Sequence, residues 1–334
     1  MKTPLVSIQC MVYNHEPYLR QCLDGFVMQK TNFAFEAIVH DDASTDKSAE
    51  IIREYAEKYP DIIKPIYEGE NQYSKKQPGL IGRIMTAAMS PSSKYIAICE
   101  GDDYWTDPHK LQKQVDYLES HPECGLVYTN SMIYNEKKRL LTKATLPKQT
   151  NFIKLLTESP IMTLTTCFRK DLYMRYNNEI NKDPSWTMGD LPIWLYISSK
   201  SDIKYIPDIT SVYRVLENSM SHSTDINKCV RHCMSSFDIR AFYAKINGCD
   251  YLRKKICVHH VNELLALSAS MDNNLSLFIA KFCYKESIAT PFVWGKIIIY
   301  STSIGRKYIR NKYSLSNSDN NIKSLENTIL GKHD

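Results

Sequence analysis

Residues 95–108 read YIAICEGDDYWTDP: an apolar run, then three carboxylates within four residues, then an Asp-Pro pair. Five apolar residues with no polar break (Tyr95–Cys99) read as a strand buried on both faces. Asp107-Pro108 opens a helix, with Pro in its first turn. Between them, Glu100, Asp102 and Asp103 crowd negative charge, which is costly by mutual repulsion unless a cation neutralises it. Hard oxygen ligands suit Mg2+ or Mn2+, and Mg2+ in particular is usually held by one or two carboxylates together with substrate phosphates. The pattern favours a metal that binds a nucleotide diphosphate over a solvated acidic turn.

Upstream, the chain alternates strand-like and helix-like patterns. Leu5–Val12 is a mostly buried strand, and Asn14 is placed to cap a helix whose apolar face is Tyr18, Leu19, Cys22, Leu23, Phe26 and Val27. Phe35–His40 is a second strand, followed by a DDASTD turn and a helix capped around Thr45 or Asp46. A third strand is expected over Ile62–Tyr67 and a third helix over Gly79–Met89. Such alternation predicts a mainly parallel central sheet flanked by helices, an α/β fold. In open sheets of this kind ligands bind beyond the carboxyl ends of the strands. Tyr13-Asn14, Asp41-Asp42 and the Glu100–Asp103 cluster all fall at such ends.

Downstream the pattern loosens. Gly125–Thr129, Ile161–Phe168 and Ile209–Val215 read as strands, Asn151–Thr157 as a short helix, and Met188-Gly189-Asp190 precedes an apolar helix at Leu191–Ser198. From Asp225 the chain reads as helical and basic, so a catalytic domain is expected over residues 1–224 and a C-terminal helical extension over 225–334. Residues 225–334 carry 16 Lys/Arg against 9 Asp/Glu, so the net charge of +5 belongs to this extension. The charge is too diffuse for a nucleic-acid reader, and no nucleic-acid-binding motif accompanies it. There is no signal-like leader and no apolar run of about 20 residues. Ten scattered cysteines fit reduced thiols and a cytoplasmic setting better than a disulfide framework. Cys229, His232, Cys233, His259 and His260 match no common zinc spacing.

The chain lacks both glycine-rich phosphate loops, so a nucleotide must be held by metal and side chains. Lys75, Lys76 and Arg83 are placed to approach its phosphates or to be surface cations. Asp42 suits either a hydrogen bond from a base edge, with Tyr13 stacking nearby, or a capping role in its turn.

The segments VSIQCMVYNHEPYLRQCLDGFVMQ, FEAIVHDDASTDKSAEII and YIAICEGDDYWTDPHKLQKQ together resemble the inverting glycosyltransferase family 2, over about residues 4–220. The resemblance implies a GT-A fold. It also implies that Tyr13 and the adjacent Asn14 lie at the nucleotide, that Asp42 reads the base, and that Glu100 and Asp102 serve the donor. Metal falls to Asp102 or Asp103, which alignment leaves undivided. Glu100 stands where the family has Asp. The family's catalytic base matches Asp190 in Thr187-Met188-Gly189-Asp190-Leu191, with Gly in place of the usual Glu; Asp190 is also a natural N-cap for the following helix. Tyr213-Arg214-Val215 matches a later family pattern, and His222 is a further candidate for the metal or diphosphate.

The expected activity is inverting transfer of a hexosyl or N-acetylhexosaminyl group from a UDP-sugar to a glycan or lipid-linked acceptor, assisted by Mn2+ or Mg2+, in surface polysaccharide synthesis. The alternative is a non-catalytic nucleotide-sugar or glycan-binding relative. A nucleotidyltransferase should carry a glycine-rich N-terminal loop, which YNHEP is not. The stretch FVWGKIIIYSTSIGRKYIR (292–310) suits either peripheral contact with an anionic membrane or packing on the catalytic domain.

Overall fold

The computed structural model describes residues 3–144, 149–158, 161–216, 223, 225–271, 274–288 and 291–307. Its first part is a run of parallel strands and connecting helices: β1 (Pro4–Val12), α1 (Glu16–Val27), β2 (Ala34–Asp41), α2 (Ser48–Lys58), β3 (Ile63–Tyr67), α3 (Leu80–Ala88) and β4 (Tyr95–Ile98). β1 lies between β2 and β4, and β3 lies outside β2. Crossover helices cover both faces of these strands, which is why β1 and β4 are apolar almost throughout.

The chain continues through β5 (Tyr104–Trp105), α4 (Lys110–Ser120), β6 (Cys124–Asn135), β7 (Leu140–Lys143), α5 (Phe152–Leu155), β8 (Thr166–Arg169), α6 (Lys170–Glu179), α7 (Leu191–Lys200) and β9 (Asp202–Val215). The sheet order among the described residues is β3-β2-β1-β4-β8-β6-β9-β5, with β7 on β6. The expected parallel character holds from β3 to β4. Beyond that the sheet is mixed: β8 runs antiparallel between β4 and β6, and β6 pairs in parallel with β9. The short β6–β7 connection permits only an antiparallel pair, since a parallel one needs a crossover of a dozen or more residues.

Residues alternate between two cores, as the two-residue period of a strand requires. Ala37, Val39 and Ala97 face α1 and α4, while Ile38, Ile96 and Ile98 face the side where α6 and α7 pack. That second core does not stop at residue 224. It continues from Leu191–Ile197 of α7 into α8 (Ile226–Ile246), α9 (Arg253–Ser270), α10 (Ser276–Lys285) and α11 (Pro291–Ser301). No helix among the described residues is long and apolar enough to cross a membrane.

Candidate active site

The end of β1 organises the site. The Asp42 N–H donates to the Val12 carbonyl at 2.9 Å, and the Gly101 N–H to the Met11 carbonyl at 2.9 Å. The turns after β2 and β4 therefore hang on the last carbonyls of the strand between them. Gly101 has no room for a side chain: a Cβ there would lie 2.8 Å from His15 Nδ1 and 3.0 Å from Val12 Cγ2. This glycine lets the acidic turn approach the start of α1.

Asn14 does not cap α1. The N-cap is His15; Asn14 instead takes a left-handed backbone (φ 56°) and its side-chain oxygen accepts from the Thr45 N–H at 2.8 Å. The capping carboxylate is Asp46, which accepts from Glu16 N–H and Ser48 N–H, both at 2.9 Å, and so joins the N-termini of α1 and α2. Tyr13 stands exposed at the rim. Asp42 is buried, and its two oxygens accept from the backbone N–H groups of Gln72 (2.6 Å) and Tyr73 (3.0 Å), fixing the loop that follows β3. Beside it, the buried Asp41 Oδ1 has no hydrogen-bond partner.

The acidic turn splits into two roles. Asp103 Oδ1 accepts from the Arg214 backbone N–H at 2.7 Å, and Arg214 Nε donates to the Asp102 carbonyl at 2.8 Å. The Arg214 guanidinium also bonds Gln21 and Glu136 and lies over the rings of Tyr18 and Tyr104. Asp103 is thus engaged with β9. Asp102 Oδ1, by contrast, is buried and has no partner. Burial, then the charges of Asp102 and Asp190, push the Glu100 carboxyl up to about 7. An unpartnered buried carboxylate oxygen among acidic neighbours, all hard oxygen donors, fits a divalent cation.

Asp190, at the start of α7, lies near enough to Glu100 for its charge to act there. Its Oδ1 accepts from Leu191 N–H at 2.7 Å, capping α7, and its Oδ2 accepts from Thr163 Oγ1 at 3.0 Å. Thr163 begins the 3-10 turn (Thr163–Thr165) that leads into β8, the strand beside β4. Asp102 and Asp190 thus both lie within electrostatic reach of Glu100. Lys76 is exposed in a left-handed turn, and Arg83 donates to the Pro78 carbonyl at 2.9 Å. His222 lies outside the described residues.

Three side chains beside these candidate residues were not singled out from sequence. His15 is half-buried beside the acidic turn, its Nδ1 atom buried and unpartnered. Tyr73 leans close enough to Glu100 for that charge, after burial, to raise its phenol. Lys182, bonded to Asn177 at 2.7 Å, packs against Gly79 beside Arg83; burial, then the Arg83 charge, pull it down to about 8. The signal for His15 was its place in the YNHE turn; Lys182 had none. Elsewhere, His259, His260 and Glu263 cluster on α9, with Cys233 Sγ 3.6 Å from Glu263. The buried Arg240 guanidinium stands 3.4 Å from His260 Nε2, where a metal would compete with it.

The sequence model described as Glycosyl transferase family 2 matches residues 7–176, about half of the chain. The chain belongs to glycosyltransferase family 2. Among family relatives, a Mycobacterium tuberculosis protein of uncharacterized function is 45% identical over 123 residues, covering 37% of this chain and 34% of its own. The chain thus spans only about a third of that relative's length. The Bacillus subtilis glycosyltransferases EpsJ and TuaG, the latter named for teichuronic acid biosynthesis, are each 26% identical, over 81% and 65% of this chain and 80% and 82% of their own. Two solved structures share the fold. Staphylococcus aureus TarS 1–349 in complex with UDP-GlcNAc has a TM-score of 0.54 at 14% identity, covering 93% of this chain and 92% of its own. The Pyrobaculum calidifontis mannosyltransferase PcManGT, with GDP-Man and Mn2+, has a TM-score of 0.56 at 16% identity, covering 93% and 88%. The family-2 chain accordingly has the GT-A fold, with helices following its last described strand.

Proposed function

We propose that this family-2 chain is an inverting glycosyltransferase that moves a sugar, a hexosyl or N-acetylhexosaminyl group, from a nucleotide-diphosphate donor, UDP-linked by preference, to a hydroxyl of a glycan or lipid-linked acceptor in surface polysaccharide synthesis. The observation that carries the reading is the unpartnered, buried Asp102 Oδ1 in a cluster whose Glu100 feels both Asp102 and Asp190.

Asp190 is the base in this reading. Its oxygens are oriented by the α7 N-terminus and Thr163, each accepting one hydrogen bond and so retaining a lone pair with which to take an acceptor's proton. A single base with no covalent intermediate implies inversion at the anomeric carbon. Asp102, with Glu100 behind it, would hold Mn2+ or Mg2+, which when bound neutralises charge on the departing diphosphate. Asp103 supports that turn through Arg214 rather than serving as a direct ligand. Tyr13 offers a ring at the rim for the base, and the Asp41-Asp42 pair offers acceptors at the end of β2. Arg83 and Lys182, two neighbouring cations, suit a phosphate-bearing ligand. Fixing donor and acceptor in one geometry supplies rate by position rather than by bond-making.

The neighbours with bound ligands carry different nucleotides, UDP-GlcNAc in TarS and GDP-Man in PcManGT. The deciding experiment is therefore thermal stability with UDP, GDP, dTDP and CDP, each with and without Mn2+. Saturation at about 100 times Kd adds about 2.7 kcal/mol of stability, a readily measured rise in melting temperature. A metal-dependent rise with UDP alone supports the proposed donor. No rise with any nucleotide, in folded protein, removes the enzyme reading.

A further inference from the structure

Seven of the fifteen large apolar side chains exposed among the described residues fall within residues 277–304. α11 is apolar on two sides. Val293 (4% exposed) and Ile297 (4%) turn inward, while Trp294, Ile298 (65%) and Ile299 turn outward. A helix apolar all round is normally covered on all sides. On α10, Leu277 (69%), Lys281 and Tyr284 (83%) form an outward stripe at spacings of four and three, and Ile279 and Cys283 face in. Ser276 Oγ donates to the Ile297 carbonyl, which joins the start of α10 to α11 next to Ile298.

The charges on this segment have one sign. Residues 276–307 contain five Lys/Arg, of which Arg306 is buried against the Tyr300 and Ser301 carbonyls, and a single acid, Glu286. Glu286 is itself withdrawn, its side chain 5% exposed and paired with Arg253 at 2.9 Å. Protein–protein interface cores are depleted in lysine, and a second copy of this face would bring like charges together. Residues 308–334 bring no opposing net charge either, with four Lys/Arg against three Asp/Glu. Apolar and aromatic side chains interleaved with Lys are what an anionic bilayer surface accepts: hydrocarbon enters the acyl boundary and the ammonium groups meet lipid phosphates. α11 has 11 residues, too short to span a core that needs about 20.

We propose that α10 and α11 form a docking face that lies in the surface of an anionic lipid bilayer. The inference does not depend on the reaction proposed above. It is tested by co-sedimenting the full chain with phosphatidylcholine vesicles with and without phosphatidylglycerol, at low and high salt. The wild-type chain should pellet with the anionic vesicles and be released by salt. The double variant Leu277→Glu/Ile298→Glu should bind about tenfold or more weakly, and Lys281→Glu/Lys285→Glu should lose the preference for anionic lipid. Both should keep the wild-type melting temperature; Ile298→Ser replaces the Ile298→Glu change should that variant misfold. Three results would overturn the proposal: wild-type protein left in the supernatant, folded variants that bind like wild type, or a wild-type dimer that Ile298→Ser converts to monomer without changing lipid binding.

Discussion

The backbone N–H of Arg214, on the last described strand, donates to Asp103 Oδ1 at 2.7 Å, while the neighbouring Asp102 Oδ1 is left buried without a partner. Two adjacent aspartates thus do different work, and substitution should separate them. Asn at position 103 still offers an oxygen to Arg214 N–H, so Asp103→Asn should change stability by no more than about 1 kcal/mol and keep the metal-dependent nucleotide response. Asp103→Ala leaves that N–H unsatisfied and should cost about 1–3 kcal/mol. Asp102→Asn should melt like wild type and lose the metal dependence. Nucleotide melting shifts with and without Mn2+ check all three, and the reverse pattern would make Asp103 the ligand.

Asp190 caps α7 and, in the proposed reading, is also the base, which predicts a clean dissociation. Asn caps a helix about as well as Asp, so Asp190→Asn should fold normally and still bind nucleotide, while turnover drops about 10²–10⁴-fold through loss of the base. Asp190→Ala should add about 1 kcal/mol of destabilisation from the lost cap. Steady-state transfer with the donor found by the nucleotide panel, set beside urea unfolding, measures both. Unchanged turnover in Asp190→Asn would assign the base elsewhere.

What the sequence disclosed, and what it hid, follows the range of the interactions. The β1-to-β4 half was legible because each element carries its own apolar period and the polar clusters fall at strand ends by local order alone. The antiparallel insertion of β8 was not, since Thr166–Arg169 is four residues long and its direction is set by β4 and β6, far away in sequence. The same holds within the site. The Glu100–Asp103 cluster announces itself by crowding, whereas the engagement of Asp103 spans 111 positions and Lys182 meets Gly79 across about a hundred. Asn14 was misread as a cap because Asn before a helix normally is one; its side chain is taken by Thr45 in the neighbouring turn.

Gly101 should be intolerant of even one added carbon. An Ala Cβ would press on the His15 ring and on Val12, so Gly101→Ala must displace either α1 or the acidic turn. The expected cost is about 1–3 kcal/mol, as for other overpacked sites. Because Asp102 follows directly, the metal-dependent nucleotide shift should weaken as well. Gly189 provides the control: nothing lies near a Cβ there, so Gly189→Ala should melt like wild type. Equal melting of the two variants would show that the turn yields freely.

Lys110 gives the stability a pH dependence whose sign can be worked out. Its side chain is fully buried, bonded to Gln114 Oε1 at 2.7 Å and 4.4 Å from the centre of the Trp105 ring. Burial pulls the ammonium from 10.5 down to about 8, against weaker opposing pulls from Cys167, Cys99 and Asp107. Below about pH 8 the lysine is charged in both folded and unfolded chains, and the folded state bears the whole burial penalty. Between about 8 and 10.5 the unfolded chain holds the proton and the folded chain does not, so this group's contribution to stability rises with pH. Above that window the penalty is gone. The full span corresponds to about 3 kcal/mol. Lys110→Met removes the titration and leaves Gln114 Oε1 without its donor, a loss of about 1 kcal/mol. The variant should therefore be more stable than wild type at pH 7, by about 1–2 kcal/mol, and the advantage should shrink and then reverse as pH climbs toward 10. Urea midpoints for both proteins at pH 7, 8, 9 and 10 measure the difference directly. A gap that stays constant across that range would mean that the buried ammonium keeps its proton throughout, held by Gln114 and the Trp105 ring.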